Sequence, residues 1–285
     1  MQRLLVVITD VQGAQQVVVR ARQLAAQFHA ELLLVRPVQA QLGEWQRFLP
    51  AGNFARLRDD ILDAERQQFS AIRGQDPGEV LWCERVYRAV VDKATDWGAD
   101  LILMQSSRQG VLESLLQHAD DWHLLREAPC PVLLLPRVAN PITEVIAAVD
   151  ALAEGPEQEL LAERVLDLAS AFAHAHALPL TVVTVVTDPA LIYASPVAVP
   201  LGSDLIGELT ARARQAQQEL LQRIGLQADA VRVATGRVEE VLADLAATGL
   251  LVIGSAANKG LKGLVLGNTA ERILHRIATE MLVVN

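Results

Sequence analysis

The sequence is poor in several residue types, and each shortage argues against a class of protein. It has two cysteines in 285 residues, Cys83 and Cys130, too few for a disulfide framework and not in the paired spacing of a zinc site. Acidic residues outnumber basic ones, 34 to 25, which disfavours a basic surface that binds nucleic acid through its phosphates. No apolar run approaches the roughly 20 residues that span a bilayer. We expect a cytoplasmic protein with no membrane insertion, no secretory leader and no nucleic-acid partner.

What the chain has in quantity is apolar side chains. Hydrophobic residues make up 51% of the sequence and charged residues 21%, a balance that favours folded cores over disorder. Since a domain usually takes about 100–200 residues, the length allows roughly two domains. We therefore expect a globular protein with more than one core.

Short runs of Val, Ile and Leu alternate with longer helical stretches, a pattern typical of βα units that form a parallel sheet buried on both faces. The predicted strands of the first half are 4–10, 30–38, 80–87, 100–106 and 131–136, and its predicted helices are 14–28, 54–72, one ending at 97, and 120–127. A linker rich in Pro and polar residues follows at 136–141. The same order then begins again. We predict two tandem α/β domains, 1–138 and 142–285.

An internal repeat supports this division. At a constant offset of 149 residues, Leu101–Met104 aligns with Leu250–Ile253, and Val132–Leu135 aligns with Met281–Val284. A duplicated domain explains this register most simply. The alternative is that two unrelated parallel-sheet domains share the same periodicity.

Candidate ligand residues follow the strands of the second half, because ligands of open parallel sheets bind at the carboxyl ends of the strands. Asp150 ends the first predicted strand there, and Val185 lies in the second. The glycine-rich segment Gly254–Glu271 follows the fourth and contains two of the three lysines of the chain. Its last glycine precedes a predicted helix whose amino end suits a phosphate. The alternative is a plain helix cap after turn-forming glycines.

The strand, the glycine segment with its LGNTAE sequence, and the closing strand resemble the universal stress protein superfamily. Nucleotide-binding members carry the pattern Gly-x2-Gly-x9-Gly-Ser/Thr. Here the pattern begins at Gly254, has Ala257 at the second glycine, and ends with Gly267 and Asn268. The resemblance implies an adenine nucleotide such as ATP, with Asp150 near adenine or ribose and the Val185 backbone at adenine. The implied ligand-binding residues are Asp150, Val185, Gly254, Ser255, Ala257, Asn258, Gly267 and Asn268.

The resemblance covers both halves and is to the tandem type of the superfamily. The first half lacks the glycine pattern, with Gln105, Arg108 and His118 at the positions of Gly254, Ala257 and Gly267. The implied fold is two doubly wound domains, each a five-stranded parallel sheet of order 3-2-1-4-5. The implied assembly pairs the two domains of one chain through their last strands. A homodimer of such chains is a further expectation.

We expect a stress-response protein that acts by binding a ligand and is not an enzyme. One alternative is a carrier or sensor of a hydrophobic metabolite, which would use the apolar segment 191–201 as a flap. Another is a regulatory scaffold without a nucleotide, and a third is a slow ATP hydrolase. No catalytic motif is present, and His174 and His176 are two residues apart, on different faces of a helix, so no metal site is expected.

Overall fold

The computed structural model of the chain describes residues 1–11, 13–39, 50–105, 119–136, 141–187, 203–255, 273 and 279–285. The chain divides into two compact units, Met1–Arg137 and Val138–Asn285.

The first unit is a parallel sheet covered by helices. Its elements are β1 (Arg3–Val7), α1 (Ala14–Phe28), β2 (Glu31–Gln39), α2 (Ala51–Arg73), β3 (Gly78–Cys83), α3 (Val86–Trp97), β4 (Leu101–Gln105), α4 (Ala119–Glu127) and β5 (Val132–Leu135). The strands pair in the order β3-β2-β1-β4-β5, all parallel. The central strands are almost fully buried, as their continuous apolar runs predict for a sheet covered on both faces.

The second unit repeats this arrangement. Its elements are β6 (Glu144–Ala148), α5 (Pro156–His176), β7 (Leu180–Val186), α6 (Ser203–Ile224), β8 (Ala230–Thr235), α7 (Val238–Leu245), a 3₁₀ turn (Ala246–Thr248), β9 (Gly249–Gly254) and β10 (Met281–Val284). The parallel order is β8-β7-β6-β9-β10. The predicted fold class is therefore confirmed: both units are doubly wound five-stranded parallel sheets of order 3-2-1-4-5.

One local prediction was wrong. The strand predicted over 80–87 ends at Cys83, and Val86 and Tyr87 open helix α3. The β-propensity of Val and Tyr favoured a strand here. The helix prevails because Tyr87, Val90 and Ala94 recur at intervals of three and four residues and form its buried face.

Carboxylates fix the register of the strands at the amino edge of each sheet. In the first unit, Asp100 Oδ2 accepts hydrogen bonds from the amides of Gln2, at 2.6 Å, and Arg3, at 3.0 Å. In the second unit, Asp229 Oδ2 accepts one from the Leu180 amide at 2.8 Å. These bonds join neighbouring strands at their amino ends.

The ladders give a residue-by-residue comparison of the two units. Val7 lies opposite Val35 and Met104, and Ala148 lies opposite Val183 and Ile253. Four pairs of counterparts follow by counting forward along the strands: Thr9 and Asp150, Arg36 and Thr184, Pro37 and Val185, and Gln105 and Gly254. The counterpart of Asp150 is therefore Thr9, and Asp10 lies one residue further along the chain, although both predicted strands end in aspartate.

Candidate functional site

Four of the predicted ligand-binding residues come together at the carboxyl edge of the second sheet. Strand β6 pairs with β7 on one side and β9 on the other. Asp150 lies two residues beyond the end of β6, Val185 is next to last in β7, and Gly254 ends β9. Ser255 follows at once, and its amide donates to the Val284 carbonyl at 2.7 Å. The edge therefore collects these four residues around the central strand.

The other predicted ligand-binding residues, Ala257, Asn258, Gly267 and Asn268, lie outside the described residues. The apolar segment 191–201, predicted as a flap, lies outside them as well.

Asp150 is exposed and forms a turn immediately after β6. Its Oδ1 atom accepts a hydrogen bond from the Leu152 amide at 3.1 Å, and its carbonyl accepts one from the Ala153 amide at 3.3 Å. This is the local side-chain turn that aspartate favours. The turn holds the carboxylate at the strand end, at the surface, where it can accept a further hydrogen bond from a ligand.

The backbone of Val185 faces the space beyond the end of β6. The Val149 amide donates to the Val183 carbonyl at 3.0 Å, so Val183 faces β6, and the Gly236 amide donates to the Val186 carbonyl at 3.1 Å, so Val186 faces β8. Backbone groups of successive residues alternate in direction along a strand. The N–H and C=O of Val185 therefore point to the β6 side. The paired register of β6 stops at Ala148, opposite Val183.

Gly254 has a packing role that the sequence did not reveal. A Cβ atom at this position would lie 2.7 Å from Leu161 Cδ2 and 2.9 Å from Leu161 Cγ. The Leu161 side chain, on α5, would have to shift to admit a Cβ atom here. This contact favours glycine at position 254 whether or not a phosphate binds.

In the first unit the glycine and the large side chain exchange places: the glycine lies at the start of the helix and the large side chain at the end of the strand. Gln105, the counterpart of Gly254, is 6% exposed, and a Cβ atom at Gly13 would lie 2.8 Å from its Cδ. Gly13 and Leu161 occupy equivalent places, because each lies 16 residues before the left-handed residue that ends its helix, His29 or Ala177. In the first unit the strand ends in the large residue Gln105, which contacts Gly13. In the second unit the strand ends in Gly254, which contacts the large residue Leu161 of the helix.

A buried glutamine connects α6 to the strands that lead to the site. Gln217 has no exposed surface, and its Nε2 atom lies 3.2 Å from the Val182 carbonyl and 3.3 Å from the Arg232 carbonyl. Sequence reasoning missed this residue because it lies in a polar stretch, ARARQAQQEL, that is typical of a solvated helix. Its two donated bonds hold α6 against β7 and β8.

Both cysteines belong to the first unit and are buried. Burial raises the pKa of the Cys83 thiol, and burial together with the charge of Asp100 raises the pKa of Cys130 to about 12. Both thiols are thus protonated at neutral pH and are poor nucleophiles. Among the described residues, no group of three or more His, Cys, Asp or Glu side chains is placed to hold a metal ion. The helices in that part of the chain include none long and apolar enough to cross a membrane.

The fold and its strand-end residues define a tandem α/β protein of the doubly wound type. The family model described as "Universal stress protein family" matches residues 1–136 and 144–285, and the chain belongs to this family. The predicted resemblance is confirmed, including the tandem arrangement.

The chain is similar to several named proteins of this family. The chain is 27% identical over 224 residues to Universal stress protein E of Escherichia coli K12, covering 72% of this chain and 67% of that protein. It is 23% identical over 215 residues to the Universal stress protein E homolog of Haemophilus influenzae, covering 71% and 67%. A crystal structure of a universal stress protein from Pseudomonas aeruginosa UCBPP-PA14 superimposes with a TM-score of 0.70 at 22% identity, covering 100% and 93%. At that identity the likeness establishes the fold.

Proposed function

We propose that this protein is a cytoplasmic stress-response protein that acts by binding an adenine nucleotide in its second unit. The observation that carries the proposal is the backbone of Val185. Its N–H and C=O point toward the space beyond the end of β6, at the strand edge where ligands of open parallel sheets bind.

The chemistry of adenine matches this edge. The N–H and C=O of one residue offer a donor beside an acceptor, and the adenine ring offers an acceptor nitrogen beside its amino group. Asp150 lies across from Val185 at the end of β6, and its exposed carboxylate accepts a hydrogen bond from a ribose hydroxyl, as acidic strand-end residues do in other nucleotide-binding sheets. These two residues would select an adenine nucleoside.

The phosphates would be bound by the segment that follows β9. The proposed residues are Gly254, Ser255, Ala257 and Asn258 at its start and Gly267 with Asn268 at its end. Ala257 and Asn268 replace a glycine and a hydroxyl residue of the family pattern, so we expect weaker binding than the complete pattern would give. Backbone amides at the start of the helix predicted from the sequence after Gly267 would supply donors to the phosphates.

We propose domain boundaries of 1–138 and 142–285, with a ligand site in the second domain and the glycine pattern lost from the first. The pairing of the two domains through their last strands, and a homodimer of such chains, belong to the same proposal. Binding without efficient turnover is the proposed activity. Slow ATP hydrolysis is the alternative, and it predicts phosphate release that disappears in Asp150→Ala.

The first experiment is native mass spectrometry of gently purified protein, followed by denaturation and identification of any released small molecule. Recovery of an adenine nucleotide at about one per chain would support the proposal. Recovery of a lipid-like compound would replace it with the hydrophobic carrier, and recovery of nothing after addition of ATP would favour a scaffold without a nucleotide.

A single substitution tests the role of Val185. Val185→Pro removes the N–H and keeps an apolar side chain, and the first unit folds with Pro37 at this position. Loss of one hydrogen bond to a buried ligand costs roughly 1.4 kcal/mol, which is a tenfold loss of ATP affinity by calorimetry. Val185→Ile, which keeps the N–H, is the matched control. Equal affinity of the proline variant and the wild type would contradict the proposed contact.

A further inference from the structure

The carboxyl edge of the first unit is occupied by an arginine of its own. Arg36, in β2, donates from Nη1 to the Ile8 carbonyl at 3.1 Å and to the Thr9 carbonyl. Its Nε donates to Glu65 Oε2 of α2 at 3.0 Å. The Arg36 side chain is 13% exposed, so the guanidinium is largely covered. One side chain thus joins the end of β1, strand β2 and helix α2.

The neighbouring proline explains why the arginine is used in this way. The Ile8 amide donates to the Val35 carbonyl at 2.9 Å, so the backbone groups of Ile8 face β2. The next residue of β2 that faces back toward β1 is Pro37, two residues beyond Val35, and proline has no N–H to give. The Ile8 carbonyl needs a donor, since buried carbonyls are almost always paired. Arg36 supplies that donor.

The second unit differs at both positions. Thr184 replaces Arg36, and its short side chain is 1% exposed. Val185 replaces Pro37 and carries the N–H that proline lacks. The strand-end carbonyls of Val149 and Asp150, which correspond to those of Ile8 and Thr9, therefore have no guanidinium bound across them from β7.

We propose that Arg36 and Pro37 determine which unit accepts a ligand: the Arg36 guanidinium closes the carboxyl-edge crevice of the first unit, and its replacement by Thr184 leaves the crevice of the second unit to a small molecule. The ligand part of this inference rests on the proposed nucleotide site. The closure of the first unit does not depend on it.

Hydrogen exchange of the full chain, read by mass spectrometry with and without ATP, tests both parts. In the wild type, ATP should slow exchange at 149–153 and 183–187 and leave 8–11 and 35–39 unchanged. Slowing at 8–11 in the wild type would overturn the inference, because a closed crevice admits no ligand.

Arg36→Thr introduces the residue of the second unit. Exchange at 8–11 and 35–39 should become at least tenfold faster, and the urea midpoint of the first unit should fall. Tryptophan fluorescence reports that unit alone, because all four tryptophans lie in it: Trp45, Trp82, Trp97 and Trp122. The control is Arg66→Thr, since Arg66 is 59% exposed and pairs with Asp63 at the surface of α2. Exchange in Arg36→Thr no faster than in the control would refute the closure.

Two more variants keep the test decisive if Arg36→Thr is poorly folded. Arg36→Lys keeps the charge with a single donor group, so its exchange should lie between those of the wild type and Arg36→Thr. Adding Pro37→Val to Arg36→Thr gives the first unit both residues of the second, so ATP should then slow exchange at 8–11. No such slowing, in a sample where ATP does slow exchange at 149–153, would refute the role given to Pro37. Faster exchange in Arg36→Thr together with no ATP protection in either unit would refute the nucleotide site and leave the closure standing.

Discussion

The tight contact between Gly254 and Leu161 makes a quantitative prediction for Gly254→Ala. A new Cβ atom would lie 2.7 Å from Leu161 Cδ2. Overpacking of this kind costs about 1–3 kcal/mol. Replacing glycine by alanine also reduces the conformational entropy of the unfolded chain, which stabilises the folded state by about 0.4–1 kcal/mol. The difference between the two effects lowers the free energy of unfolding of the second unit by up to about 2.6 kcal/mol, and by less where the Leu161 side chain rotates away.

The assay is urea unfolding followed by far-ultraviolet circular dichroism, with hydrogen exchange in β9 to assign the effect to the second unit. Gly207→Ala is the matched control, because Gly207 lies within α6 and a Cβ atom there meets nothing within 4 Å. That substitution should stabilise the helix by about 0.5–1 kcal/mol. Equal stability changes in the two variants would refute the steric argument.

A second substitution separates packing from ligand binding at Gly254. Leu161→Ala removes the atoms that the new Cβ would meet, so the double variant should lose less stability than the two single variants together. The expected coupling is about 1 kcal/mol or more, as found for residues in direct contact. If Gly254 also contacts a phosphate, Gly254→Ala should weaken ATP binding and Leu161→Ala should not restore it. Purely additive effects on stability would contradict the contact.

Three further predictions concern a buried thiol and two side chains that hydrogen-bond to the backbone of the strands. The Cys130 thiol stays protonated in the folded protein up to about pH 12, whereas the thiol of the unfolded chain ionises near pH 9.0. Between these two pH values the free energy of unfolding of the wild type should therefore fall faster than that of Cys130→Ala, by up to about 1.4 kcal/mol per pH unit in urea unfolding. An equal dependence of stability on pH in the two proteins would contradict this. Asp100→Ala should destabilise the first unit by about 1–3 kcal/mol, measured by tryptophan fluorescence, because the Gln2 and Arg3 amides lose their acceptor. Gln217→Ala should destabilise the second unit by about 1–3 kcal/mol, measured by hydrogen exchange in β7 and β8, since two carbonyls lose their donor. A loss below 0.5 kcal/mol in either alanine variant would show that solvent replaces the bond.

The fold could be predicted because its signal is local. Each buried strand is a continuous apolar run, and each helix has its own periodicity, so the order of elements is visible in the sequence. The order of the strands in the sheet came from the resemblance to a family. Where the local signal was ambiguous, at Val86 and Tyr87, burial of a helix face decided the structure against strand propensity.

The candidate site could be predicted only in part, because its determinants are contacts between distant segments. Nothing in the strand sequence ELLLVRPV shows that Arg36 meets Ile8, Thr9 and Glu65. The available signal is a single arginine within the otherwise apolar run 32–38. The first predicted strand of each half ends in aspartate, Asp10 or Asp150, but the sheet register offsets the two by one residue.

The reversed glycine contact has a consequence for exchanging segments between the two units. Moving the end of β4 into the second unit would place Gln105 against Leu161, and moving the end of β9 into the first would leave Gly254 beside Gly13. The first chimera would be overfilled and the second would contain a void. A chimera that transfers the strand end together with the start of its helix would preserve the volume. The two halves have therefore diverged as matched pairs of positions, and those pairs are the smallest pieces that can be transplanted.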